Sequence, residues 1–138
     1  MKITHEDAAL LGRITKSLIN NLKTSVGDDA EEKYAKALTT GDIARLVTAK
    51  LRIKFNARAT DARKLAKARM KMNDAALGPL LRAFGKDTLV NILPAEAASE
   101  HVVNLCEELG SPGIADLCRQ KIAQTRTTPA AKRAKPTV

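Results

Sequence analysis

The chain has 138 residues, of which 44% are hydrophobic and 2% aromatic, and it carries a formal net charge of +9. This length accommodates one domain with its own core, and the scarcity of aromatics favours packed helices over sheets, because strands are enriched in aromatic and β-branched residues. Two cysteines, no apolar run long enough for a membrane span and no signal peptide in the acidic N-terminus predict an intracellular, cytoplasmic protein.

The first predicted helix covers residues 4–26. Thr4 followed by Asp7 is typical of a helix N-terminus with an acid in its first turn, and Gly27 is typical of a C-terminal stop. Apolar residues recur at helical spacing between them, at Leu11, Ile14, Leu18, Leu22 and Val26. Asp28 and Asp29 then predict the cap of a short second helix.

The segment 41–72 contains most of the positive charge. It holds ten Lys or Arg against two acids, whereas residues 1–40 are neutral and residues 73–125 carry a net charge of −3. Thr39 or Thr40 is the predicted cap of its helix. Charge concentrated in this way indicates a polyanionic partner, with nucleic acid ahead of an anionic membrane surface.

As a single helix of about 100° per residue, this segment has two faces. We predict that the apolar face lies in the core; it comprises Ile43, Val47, Leu51, Phe55, Ala62, Leu65 and Ala66. The opposite face forms a row about 39 Å long at 1.5 Å per residue, made of Arg45, Arg52, Asn56, Arg63, Lys67 and Lys71. Because like charges at i,i+4 repel, this row favours contact with phosphates over a solvated basic face or an acidic protein.

Arg58 and Arg69 project onto the apolar side of that helix. Either their stems reach past the edge of the core, or the helix breaks near residues 56–61 and Thr60 or Asp61 caps a second helix. A continuous helix over 41–72 is the prediction. The stretch TTGDIARLV also resembles the first helix of helix-turn-helix proteins, but no Gly follows where their turn is expected.

Residues 73–125 predict further short helices. The expected segments are 75–84, interrupted by Gly78-Pro79 so that Pro79 could be the true start, then a short piece after Asp87, then 95–109 and 112–124. The acids in this half suggest a second, protein-docking surface or simply the rest of one core. The tail 126–138 is small, polar and basic, and is predicted to be disordered.

Cys106 and Cys118 flank the predicted turn at 110–112. Both fall on apolar stripes, so we predict two buried structural thiols; a disulfide or a metal site is the alternative, although the chain lacks four ligands at zinc spacing. His5 and His101 are predicted at helix surfaces. Since no nucleophile elbow, phosphate loop or paired-carboxylate motif is present, no enzyme activity, metal or cofactor is predicted.

The sequence therefore predicts an all-α protein, an irregular bundle of about five or six helices. One helical domain would span 1–125, including a long basic helix over 41–72, and a flexible basic tail would span 126–138.

The predicted function is non-enzymatic nucleic-acid binding, to DNA or RNA, as a small subunit of a larger nucleoprotein assembly. Contacts would be mainly to phosphates. The predicted contact residues are Arg45, Arg52, Arg58, Arg63, Lys64, Lys67, Arg69, Lys71, Lys132, Arg133 and Lys135.

The alternative is a helical protein–protein module, namely an adaptor, an inhibitor or a self-associating subunit whose basic face meets an acidic partner. A membrane partner is not expected. It would need aromatic or Leu side chains free of the core, and Phe55 is assigned to the core.

Overall fold

The structure, a computed structural model, describes residues 1–58 and 60–134, with side chains described up to residue 126. Within these residues the chain is helical and contains no strand, which confirms the prediction of an all-α bundle. Seven α-helices are described, rather than the five or six expected. They are α1 (His5–Val26), α2 (Ala30–Ala37), α3 (Thr40–Asn56), α4 (Ala62–Phe84), α5 (Lys86–Ile92), α6 (Glu100–Glu108) and α7 (Pro112–Ala134), with a short 3-10 turn at Ala95–Ala97.

Helix α1 begins and ends as predicted. The Thr4 hydroxyl accepts a hydrogen bond from the Asp7 amide at 3.2 Å, and the Asp7 carboxylate accepts one from the Thr4 amide at 2.9 Å. This reciprocal capping box satisfies two amide groups that the helix itself leaves without partners. The apolar stripe of α1 is buried at Leu11, Ile14, Leu18 and Leu22 and packs mainly on α4.

The prediction of one long basic helix over 41–72 is wrong. Helix α3 ends at Asn56 and α4 begins at Ala62, and the two pack side by side as an antiparallel hairpin. Polar side chains explain the break, because each satisfies backbone groups at a helix end. Asn56 donates to the Arg52 carbonyl at 2.7 Å, and Asp61 accepts from the Arg63 amide at 3.0 Å.

Helix α4 is the centre of the fold. The predicted interruption at Gly78-Pro79 does not occur, and the helix runs unbroken to Phe84. Pro79 removes one amide donor, but Leu77 and Leu80 on either side of it are buried, so packing holds the helix together. The helix expected over 75–84 is instead the second half of α4, and Asn73 before it is buried and donates to the Leu11 carbonyl at 3.3 Å.

The C-terminal part of the chain differs from prediction at two helix boundaries. The helix expected over 95–109 begins later, at α6, where Ser99 accepts from the amides of His101 and Val102. Helix α7 extends to Ala134, so the predicted disorder of the tail 126–138 is not confirmed over the part that is described. Residues 135–138 lie outside the described residues.

Helices α6 and α7 pack against each other and bury Cys106 and Cys118. As predicted, both are buried thiols that form no disulfide.

Candidate nucleic-acid interface

A cleft of about 570 Å³ opens between α3 and α4 on one side of the hairpin. Three cations predicted from the sequence line it: Arg45 and Arg52 from α3 and Lys71 from α4. All three are exposed. We call this feature the basic cleft, and its full lining is Asp42, Ala44, Arg45, Thr48, Ala49, Arg52, Lys71, Asp74, Ala75 and Gly78.

Small residues shape the basic cleft. Ala49 is buried where α3 packs on α4, and Ala75 and Gly78 lie on the facing side of α4. Arg45 and Arg52 are seven residues apart, which places them on one side of α3 two turns from each other. The antiparallel return of the chain then places Lys71 opposite them.

Asp42 is an anion inside this cationic site, but the fold holds it. It is 1% exposed, and it accepts hydrogen bonds from the Thr39 amide at 2.9 Å and from Arg45 at 2.7 Å. Arg82 from α4 also binds it. The hydrogen bond from the Thr39 backbone, together with Arg45 and Arg82, lowers the pKa of Asp42 to about 2.

Asp74, the second carboxylate of the basic cleft, is half-buried and accepts a hydrogen bond from the Ser111 hydroxyl at the start of α7. Both carboxylates thus have partners within the fold. The exposed charged groups of the cleft are cations, which suits it to an anion.

Two further predicted cations continue the basic cleft along α4. Lys64 and Lys67 are exposed and lie seven and four residues before Lys71, so all three share the solvent-facing side of α4. Arg58 is exposed in the turn between the helices. The positive surface therefore extends from the cleft towards this turn.

Two other predicted contact residues have partners inside the fold. Arg63 binds Glu108 at the end of α6. Arg69 donates to the Ala8 carbonyl at 2.7 Å and its stem covers Gly12, where an added Cβ would lie 3.2 Å from the Arg69 Cδ. Both arginines tie α4 to its neighbours. The tail cations Lys132, Arg133 and Lys135 lie outside the described side chains.

The predicted core stripe of α3 is wrong. Ile43, Val47, Leu51 and Phe55 are 50%, 53%, 49% and 85% exposed, and we call these four residues the apolar ridge. Helix α3 instead packs through a neighbouring face of alternating four- and three-residue spacing, which comprises Asp42, Leu46, Ala49, Ile53 and Asn56. That spacing was visible in the sequence, but its mixed polarity made it a weaker pattern than the four large apolar residues.

The two histidines both contact groups of the fold. His101 binds the Asp7 carboxylate at 2.7 Å and so links α6 to α1, while the His5 ring lies 3.1 Å from the Thr60 carbonyl. In the described part of the chain, no cluster of three or more His, Cys, Asp or Glu could hold a metal ion. None of the helices described there is long and apolar enough to cross a membrane.

Comparisons of the chain with protein-family models, with curated proteins and with solved structures give no match. Fold and site together define a class only: a helical bundle with a basic cleft between a peripheral helix, α3, and the central helix, α4.

Proposed function

We propose that this protein binds nucleic acid without catalysing a reaction, as a small subunit of a larger intracellular, cytoplasmic nucleoprotein assembly. The observation that supports this proposal is the convergence of Arg45, Arg52 and Lys71 on the basic cleft. Lys64 and Lys67 continue the same positive surface.

Phosphate groups are the ligands expected in the basic cleft. The planar guanidinium group of Arg52 can bind two phosphate oxygens, the Arg45 guanidinium also binds Asp42, and Lys71 acts as a compact point charge. Such contacts position a protein on a strand without reading its sequence. Five cations contacting five phosphates would give log K falling with log[salt] at a slope of about −4.5 on duplex DNA.

The test is fluorescence anisotropy with labelled duplex DNA, duplex RNA and single strands across a salt series. We expect the triple variant Arg52→Gln, Lys64→Gln and Lys71→Gln to bind on the order of a hundredfold more weakly at low salt and to show a shallower slope. The matched control is Lys2→Gln, Lys16→Gln and Lys36→Gln, which removes the same charge from exposed positions elsewhere.

Thermal unfolding of both triple variants checks that each is folded. Binding by the cleft variant equal to that of the parent would refute the proposal. Equal losses in the two variants would show that total charge, not the cleft, attracts the strand.

The second candidate function is the helical protein–protein module, with an adaptor, inhibitor or self-associating role. The apolar ridge favours it, because four large apolar side chains on one helix are about half exposed or more in the described fold. Its chemistry leads to a more specific proposal.

A further inference from the structure

The apolar ridge is a row on the outer side of α3, inclined to the helix axis. Its members follow one another at four-residue spacing from Ile43 to Phe55, a length of about 18 Å at 1.5 Å per residue. The other large hydrophobics exposed in the described residues lie on different elements; they are Met1, Ile19 and Leu81. Contiguous exposed apolar surface commonly marks an interaction site.

Small side chains run beside the apolar ridge. Ala44 and Thr48 follow Ile43 and Val47 by one residue each, and both also line the basic cleft, so small side chains lie between the row and the cleft. Large side chains at four-residue spacing beside a row of small ones are the surface on which a second helix interdigitates.

Cations border the apolar ridge on one side. Lys50 and Lys54 are exposed along this border, whereas Arg45 and Arg52 lie on the side of α3 that lines the basic cleft. The one acid of α3, Asp42, is buried. A partner with acidic residues beside its own apolar face would match both the apolar side chains and the positive charge of this surface.

A second copy of this chain does not fit as the occupant. If two ridges packed about a two-fold axis with the helices antiparallel, each Lys50 would approach its counterpart, and like charges across an interface are unfavourable. Outside α3, the described helices offer only isolated exposed apolar residues such as Ile19 and Leu81. The charge pattern thus favours a different protein as the binding partner.

We propose that the apolar ridge docks an acidic amphipathic α-helix from a protein partner. The partner helix would place apolar side chains at i, i+3 or i+4 and i+7 against Ile43, Val47, Leu51 and Phe55, as in helix-in-groove recognition. Its Asp and Glu residues would meet Lys50 and Lys54. This proposal does not depend on nucleic-acid binding, because none of the four ridge residues lines the basic cleft.

The experiment uses the full chain and a labelled synthetic peptide, a Leu- and Glu-rich helix with its leucines on one face. Its control has the same composition, with the leucines distributed around the helix. We expect anisotropy titrations to show binding by the first peptide at least about tenfold tighter than by the second, because only one of them presents a continuous apolar face.

The variant Leu51→Ser with Phe55→Ser should weaken binding of the amphipathic peptide by at least about tenfold, since truncating central apolar contacts removes most interface energy. The matched control is Ile19→Ser, which changes an exposed apolar residue on α1 and leaves the net charge unchanged. Both variants should keep the Tm of the parent.

Equal binding of both peptides, or full binding of the amphipathic peptide by the ridge variant, would overturn the proposal. If the peptide does not bind, ridge-dependent self-association in sedimentation velocity would also overturn it, as would ridge-dependent binding to phosphatidylserine–phosphatidylcholine vesicles. The ridge variant also separates the two proposals, because it should lose peptide binding and still bind nucleic acid as the parent does. If the parent does not bind nucleic acid, the peptide titrations still test the ridge.

Discussion

At the scale of single residues, Asp42 links three helices. It closes the capping box at the start of α3 with Thr39 and binds Arg45 one turn later. It also binds Arg82 near the end of α4, and that arginine donates to the Ala37 carbonyl at the end of α2 at 3.1 Å. One buried carboxylate therefore fixes where α3 begins and how it is attached to α4.

Stability should depend on the charge of Asp42 at acid pH. Its folded pKa of about 2 lies below the value of about 3.9 for Asp in an unfolded chain. The carboxylate therefore stabilises the fold above about pH 4, and that contribution disappears as the pH falls through about 2.

We expect Asp42→Asn to lower the Tm at neutral pH, and the difference from the parent to shrink as the pH falls to about 2. Thermal unfolding followed by circular dichroism over this range measures it. Asp87→Asn, at an exposed position on α5, should change little at any pH. A Tm difference for Asp42→Asn that stays constant with pH would contradict the assignment.

At the scale of elements, the turn between α3 and α4 determines which face of α3 is outward. When residues 41–72 are projected as a single helix, the apolar residues of 43–55 and of 62–66 fall on one side of it. Once the chain reverses, Leu65 and Ala66 are buried while the apolar ridge is exposed. The break thus changes four expected core residues into surface residues.

A cap substitution at Asp61 distinguishes the broken helix from a continuous one. Because Asp61 accepts from the Arg63 amide, Asp61→Ala should cost about 0.5–2 kcal/mol of unfolding free energy. A continuous helix would predict the opposite sign, since Ala has the higher helix propensity.

Urea denaturation measures this difference. Asp61→Asn is the control, because it keeps an acceptor oxygen and should cost only a few tenths of a kcal/mol. An Asp61→Ala variant that is more stable or more helical than the parent would contradict the break and support a single basic helix.

The starts of α1 and α3 were predictable because they depend on local chemistry. Thr4 with Asp7 and Thr39 with Asp42 both form capping boxes that the sequence displays. The passage of α4 through Pro79 was not predictable, because packing on both sides of Pro79 overrides its local preference. Likewise, the basic cleft needs Lys71 brought back beside Arg52, which no periodicity along one segment can show.

At the scale of the whole molecule, the core is formed mainly by α1, α4, α6 and α7 and includes the two thiols. Cys106 and Cys118 are each 0% exposed. The pKa of Cys106 is raised because its thiol shares a hydrogen bond with Cys118 and is buried. Since the thiolate is the reactive form, the raised pKa and burial both protect Cys106, whereas the same hydrogen bond lowers the pKa of Cys118 and burial alone protects that thiol.

We expect both thiols to resist a disulfide reagent such as dithionitrobenzoate in the native protein and to react fully in concentrated guanidinium chloride. The rate in native buffer should follow the rate at which the fold opens. Absorbance of the released thiolate measures both values. A rapid reaction of either cysteine in native buffer would place that cysteine at the surface.

The position of α3 at the edge of the bundle has a consequence for local stability. Only Asp42 and Ala49 of its 17 residues are buried, so detaching α3 exposes little apolar surface. Its free energy of opening should therefore lie below that of global unfolding, and its amides should exchange with solvent ahead of those in α4. Helix α3, which carries the ridge and one wall of the cleft, can then change its angle on α4 while the core beneath stays intact.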